Sequence, residues 1–154
     1  MILGAEYGLR VACLRYFNVY GVLQHFNPYG NVLPSFAEKV MAGEPLTIYG
    51  DGEQTRDFIE VSDIVRANIL AMQCEANGVF NIGTGVATTV NQLAKIVIEA
   101  ADKDVEIKYA PARSGEVQDS VATIAKASKE LDFQPSVSIN EGVRNYIACF
   151  NSTN

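Results

Sequence analysis

Four polar side chains have the clearest potential for chemistry in this sequence, because each is expected at a strand end, in a loop or at a helix start. They are Asn18, Asn31, Arg56 and Arg113. Arginine offers forked N–H donors in a fixed plane that matches the oxygens of a phosphate. Helix starts also favour anions. If the fold brings these groups together, they form a site for a phosphate or a diphosphate.

Each of these side chains also has a structural interpretation. Asn18 can close an Asx turn, and Asn31 is a good helix N-cap. Arg113 and Glu116 can form a solvated ion pair, which contributes little to stability. The sequence leaves these alternatives open.

Other kinds of reaction site have little support. There is no G-x-S-x-G elbow, Walker loop, Ser-His-Asp spacing or His/Cys metal cluster. A Gly-Thr-Gly turn at 83–85 invites comparison with a dinucleotide fingerprint, but Thr88 replaces the third glycine. A plain turn before a capping box of Thr89 and Gln92 is the favoured interpretation.

Composition bounds the class of protein. The 154 residues are 48% hydrophobic and 19% charged, which fits one globular domain over 1–154. The net charge of −6 argues against a nucleic-acid partner. We see no membrane span and no secretory leader. His25 is the only histidine, and the cysteines are far apart without CxxC, so we expect reduced thiols in a cytoplasmic protein without a metal site.

Hydrophobic periodicity predicts an α/β fold with short strands and about five helices. Strands are expected over 10–17, 46–49, 54–61, 78–82 and 105–109. Helices are expected to start at Asn31, at a Ser62-Asp63 cap, after Thr89, near Ile124 and at a capping box of Ser138 and Glu141.

Four sequence words, taken in order, resemble one known family. They are RYFNVYG (15–21), GEPLTIYGDGEQTRDFIEVSDIV (43–65), FNIGTG (80–85) and PARSGE (111–116). Together they are similar to the C-terminal part of the NAD-dependent nucleotide-sugar epimerases and dehydratases. These are extended short-chain dehydrogenases, here of the UDP-glucose 4-epimerase type.

The resemblance implies roles for individual residues. Phe17 would lie against the nicotinamide end of NAD, and Asn18 would contact the substrate near its diphosphate. Asn31 and Val32 would meet the nucleotide, and Glu116 would accept from the ribose hydroxyls.

The resemblance also implies a nucleotide pocket around the stretch 46–63. Thr47, Ile48 and Tyr49 would line the uracil pocket, partly through backbone groups. Arg56 and Arg113 would hold the diphosphate from opposite sides.

Two family motifs are absent from the chain. It has no G-x-x-G-x-x-G turn for NAD, and no tyrosine has lysine four residues on. In such enzymes both motifs precede the RYFN strand, so we expect the Rossmann half to be missing, with 1–21 resembling a late strand of its sheet. We therefore expect a UDP-sugar-binding portion that is not catalytic alone and binds no NAD alone.

An alternative is a non-catalytic interaction module that kept this fold. Strands that would pair with the missing half leave an apolar edge, which favours a homo-oligomer.

Overall fold

The computed structural model describes residues 2–22, 24 and 32–152, which form an α/β fold. The helices are α1 (Ile2–Tyr7), α2 (Val32–Ala42), α3 (Val61–Gln73), α4 (Val90–Ala101), α5 (Ala125–Leu131) and α6 (Ile139–Ser152). The strands are β1 (Ala12–Tyr16), β2 (Asn18–Tyr20), β3 (Leu46–Tyr49), β4 (Thr55–Arg56), β5 (Phe58–Glu60), β6 (Gly78–Ile82), β7 (Thr88–Thr89), β8 (Ile107–Ala110) and β9 (Asp119–Ser120). None of the described helices is long and apolar enough to cross a bilayer.

Parallel pairing joins strands that are distant in the sequence. β1 pairs with β6, β2 with β5 and β3 with β8, all in parallel. β4 lies between antiparallel β7 and parallel β9. Tyr49 stands opposite Ala110 at the ends of β3 and β8, so the segments that follow both strands leave from the same edge. This register places the loop after β8 beside the end of β3.

Two apolar cores lie on either side of β5. Phe58 belongs to a core built mainly from α2, α4, α6 and β3. Ile59, the next residue, belongs to a core with residues of α3, α5 and β6. Successive side chains of a strand point to opposite faces, so three residues of β5 serve both cores.

All five predicted helices are present, and the short α1 comes before them. The predicted capping box at the start of α4 is confirmed. Thr89 Oγ1 accepts from the Gln92 N–H at 3.0 Å, and Gln92 Oε1 accepts from the Thr89 N–H at 2.9 Å. At α6, Ser138 Oγ accepts from the Glu141 N–H at 3.3 Å.

The predicted strand over 54–61 is wrong as a continuous element. Asp57 separates β4 from β5, and these two strands belong to different sheets. The reason is the fully buried Asp57 carboxylate, which accepts four hydrogen bonds from other segments. These bonds fix the chain where a strand would have continued.

The predicted cap of α3 is also wrong. The N-cap is Glu60, whose side chain accepts from the Ser62 N–H at 2.7 Å. Asp63 lies inside the first turn and is buried, where it accepts from the N–H of Ser136 at 2.9 Å. Its carboxylate serves a tertiary contact instead of the helix end.

Candidate functional site

Arg56 and Glu116 face each other beside the strand pair β4–β9. Arg56 Nη2 lies 3.5 Å from Glu116 Oε1, and the two side chains are 17% and 31% exposed. Arg56 Nη1 donates to the carbonyls of Thr55 at 2.7 Å and Gln118 at 3.4 Å. The backbone therefore fixes the guanidinium on one side, while the ion pair on the other side stays long.

Arg113 lies over the ring of Tyr49. The guanidinium carbon is 3.9 Å from the ring centroid, which is cation–π geometry. Both residues are exposed. The register of β3 with β8 explains this contact, because Arg113 follows β8 and Tyr49 ends β3. Two arginines from separate segments thus flank one surface region.

Gln54 connects the Arg56–Glu116 pair with the end of β3 at Tyr49, and it was not among the residues predicted from the sequence. Its side-chain amide is buried and donates to the Tyr49 carbonyl at 2.9 Å and to Glu116 Oε1 at 3.4 Å. The spacing of Gln54 from Arg56 could have indicated that it belongs to the site. Gln54 and Arg56 are two residues apart in an extended segment, so their side chains leave on the same side.

Phe17 and Asn18 line an open cleft of about 490 Å³. Its walls are formed by Arg15, Tyr16, Phe17, Asn18, Asn81 and Ser120. Asn18 lies in β2, not in the expected loop, and its N–H donates to the Asp57 carbonyl at 2.9 Å. Ser120 stands opposite Arg56 in the register of β4 and β9. The cleft therefore adjoins the arginine.

The remaining predicted ligand residues are placed differently. The Ile48 side chain is 1% exposed within the core, so it cannot touch a ligand. Val32 packs against the same core. Thr47 is half-buried on β3, opposite Lys108 of β8. Asn31 lies outside the described residues.

The 83–85 turn binds a carboxylate of the protein itself. Asp57 accepts from the N–H and hydroxyl of Thr84, both at 2.7 Å, and from the N–H of Gly85 at 2.9 Å. A dinucleotide needs such N–H groups for its diphosphate. Because Asp57 uses them, the turn does not fit NAD.

Metal chemistry finds no support in the described part of the chain. No cluster of three or more His, Cys, Asp or Glu side chains there could hold a metal ion. The candidate site is instead a set of arginine donors beside one carboxylate, a combination that suits phosphate and hydroxyl groups.

Comparison of the sequence with known proteins places most of the chain in one family. The profile of the GDP-mannose 4,6 dehydratase family matches residues 3–146. The chain is 33% identical over 150 residues to the UDP-N-acetyl-alpha-D-glucosaminuronate decarboxylase of Bacillus cytotoxicus, covering 93% of this chain and 47% of that protein.

Solved structures extend the similarity to the fold. A UDP-glucose 4-epimerase of Thermotoga maritima with UDP-glucose superposes with a TM-score of 0.92 and 45% identity, over 99% of this chain and 49% of that one. A UDP-glucose 4-epimerase of Thermus thermophilus in complex with NAD gives a TM-score of 0.89 and 36% identity, over 99% and 50%. The chain thus spans about half the length of these proteins.

Proposed function

Because the chain belongs to the NAD-dependent epimerase/dehydratase family of extended short-chain dehydrogenases and is similar to UDP-glucose 4-epimerases, we propose that it is the nucleotide-sugar-binding half of such an enzyme. The half in question is the C-terminal one, and the ligand is a UDP-sugar. One observation carries the proposal. Arg56 on β4, together with Arg113 and Glu116 of the loop after β8, brings two separate segments to one surface beside the end of β3.

The chemistry of this surface suits each part of a UDP-sugar. The two arginines offer donors to the diphosphate, and the Glu116 carboxylate accepts from ribose hydroxyls. Among the described strands only β8 pairs with β3, and the N–H groups of Leu46 and Gly50 donate to that side. The alternate backbone groups, those of Thr47 and the N–H of Tyr49, lie on the other edge of β3 and are the ones proposed to meet the edge of the uracil. The relative from Thermotoga maritima has UDP-glucose in its structure, which supports this choice of ligand.

Catalysis requires groups that this chain does not provide. None of its tyrosines is followed by lysine at the fourth position, so the family's Tyr-Lys acid–base pair is absent from the sequence. When bound, NAD supplies hydride transfer in such enzymes. The part that this chain plays is to bind and orient the nucleotide, with Phe17 and Asn18 at the boundary of the cofactor half.

Isothermal titration calorimetry with UDP, UDP-glucose, GDP and uridine tests this function. We expect UDP and UDP-glucose to bind, GDP to bind more weakly because its larger base does not fit a uracil site, and uridine to lose most of the affinity with its phosphates. Absence of UDP binding by the folded chain would overturn the proposal. An epimerisation assay with added NAD should give no turnover.

A further inference from the structure

We propose that Gln54 is a positioning residue, which holds Glu116 so that both this carboxylate and the Arg56 guanidinium stay available to the ligand. The inference rests on the proposed function, since it concerns the same pocket. It assigns a role to a buried side chain that touches no ligand group directly and acts through two others.

The Gln54 amide uses both of its N–H donors inside the protein. Gln54 is 6% exposed, and its Nε2 donates to the Tyr49 carbonyl at 2.9 Å and to Glu116 Oε1 at 3.4 Å. A primary amide nitrogen has two hydrogens, so these partners account for both. One buried group thus links the end of β3 to the loop that carries Glu116.

Glu116 is held by one of its two oxygens. Among the described residues, the recorded contacts from Gln54 and Arg56 both end on Oε1. Oε2 therefore remains as an acceptor, and an ionised carboxylate can take only donors from a ligand. In a UDP-sugar those donors are the hydroxyl groups and the N3–H of the base, not phosphate oxygens, and it is the ribose hydroxyls that the proposed function assigns to Glu116.

Arg56 depends on the same arrangement. Its Nη1 is bound to backbone carbonyls, and Nη2 lies 3.5 Å from Glu116, longer than a typical charge-assisted hydrogen bond. Among the described residues, Gln54 and Arg56 are the two donors to Glu116 Oε1, so without Gln54 the arginine would be its only donor. Glu116 would then close on Arg56 as a short ion pair, and that pair would consume both the hydroxyl acceptor and the phosphate donor.

The test compares Gln54→Met with Gln118→Met by calorimetry against UDP and 2′,3′-dideoxy-UDP. Gln118 is the matched control, because its side chain is exposed and its contact with Arg56 is made by the backbone carbonyl, which the substitution keeps. We expect the unchanged chain and Gln118→Met to prefer UDP by roughly tenfold or more, as for a hydrogen bond to a charged group. Gln54→Met should bring this ratio to about one and weaken UDP binding at least about tenfold.

Gln54→Glu provides a second measurement, the pH dependence of the preference for UDP over 2′,3′-dideoxy-UDP. A purely structural role of Gln54 would not make this preference depend on pH. Two facing carboxylates raise each other's pKa, so one of them gains a proton as the pH falls. Once protonated, the introduced carboxyl group can again donate to Glu116. We expect the hydroxyl preference of this variant to be lost at about pH 8 and to recover towards about pH 5. Thermal melting confirms that each variant is folded.

The outcomes separate the two proposals. If the unchanged chain does not bind UDP, the proposed function and this inference both fail. If it binds UDP with a hydroxyl preference that folded Gln54→Met retains, the inference alone fails. Should Gln54→Met not fold, a Gln54→Glu variant whose preference is independent of pH overturns the inference by itself.

Discussion

The phenol oxygen of Tyr20 is buried directly against Gly142 of α6. A Cβ atom at position 142 would lie 2.1 Å from Tyr20 Oη, far inside van der Waals contact. Tyr20 is 1% exposed, and among the described residues its hydroxyl has no hydrogen-bond partner. Close packing of α6 on β2 therefore requires glycine at 142 and leaves a polar atom unsatisfied.

Replacing Tyr20 with Phe should not destabilise the protein, in contrast with most core substitutions. A buried hydroxyl without a partner costs free energy, so its removal should leave stability unchanged or raise it by about 1 kcal/mol. Tyr146→Phe is the matched control, because the Tyr146 hydroxyl donates to the Gln24 carbonyl. That variant should lose about 1 kcal/mol in urea unfolding. A Tyr20→Phe variant that lost more than Tyr146→Phe would contradict this account.

Alkaline pH should destabilise the protein through Tyr20. Burial, and then the charges of Glu60, Asp63 and Glu141, raise the pKa of Tyr20 in the folded state. Above about pH 10 the unfolded chain releases this proton while the folded chain keeps it. The free energy of unfolding then falls with pH, by up to about 1.4 kcal/mol per pH unit from this group. Urea unfolding between about pH 8 and pH 11 should show a shallower loss in Tyr20→Phe.

Asp57→Asn should be strongly destabilising. Three backbone N–H groups and one hydroxyl donate to this buried carboxylate, including Gly85 at 2.9 Å and Ala122 at 3.1 Å. An amide NH₂ would face some of these donors, so we expect a loss of about 3 kcal/mol or more. Asp119→Asn is the control, since the recorded bond to its exposed side chain comes from the Thr55 hydroxyl alone. Equal losses in urea unfolding of the two variants would refute the argument.

Local signals predicted the helices well. Apolar residues at helical spacing and the Thr89 and Gln92 capping box are properties of short segments, and the structure follows them at α4. The errors fell where tertiary contacts outweigh local preference. Aspartate is common at helix N-caps, but the Asp63 carboxylate accepts from the N–H of Ser136, 73 residues away. Asp57 broke a predicted strand for the same reason.

The candidate site was predictable only in part. Arg56 and Arg113 could be selected by residue type, yet their proximity depends on the pairing of β3 with β8, which no local pattern specifies. Gln54 was missed because a buried amide becomes significant only once its two acceptors are known. The sequence shows which side chains could bind a phosphate, whereas their arrival at one site depends on how the strands pair in the folded sheets.

Arg56→Ala and Arg113→Ala should each abolish UDP binding that calorimetry can measure. Each guanidinium is proposed to pair with the diphosphate, and such bonds are among the strongest in polar recognition. Arg144→Ala, on an exposed position of α6, should bind UDP as the unchanged chain does. Removing Arg113 should also free the Tyr49 ring, which changes tyrosine fluorescence without ligand. Normal UDP affinity in folded Arg56→Ala would remove Arg56 from the pocket.

The isolated chain should self-associate through an apolar stripe on α3. Its members are Val61, Val65, Ile69 and Met72, all exposed and spaced to share one helix face. Contiguous exposed apolar surface is unusual on a monomer and marks an interaction site. We expect light scattering after size exclusion to give a dimer or larger species, and Ile69→Glu/Met72→Glu to give a monomer. Gln73→Glu, on the same helix but outside the stripe, should leave the assembly intact.

UDP affinity should be equal in both variants, because the substituted residues lie on α3, whereas Arg56 lies on β4 and Arg113 in the loop after β8. A monomeric unchanged chain would contradict the prediction.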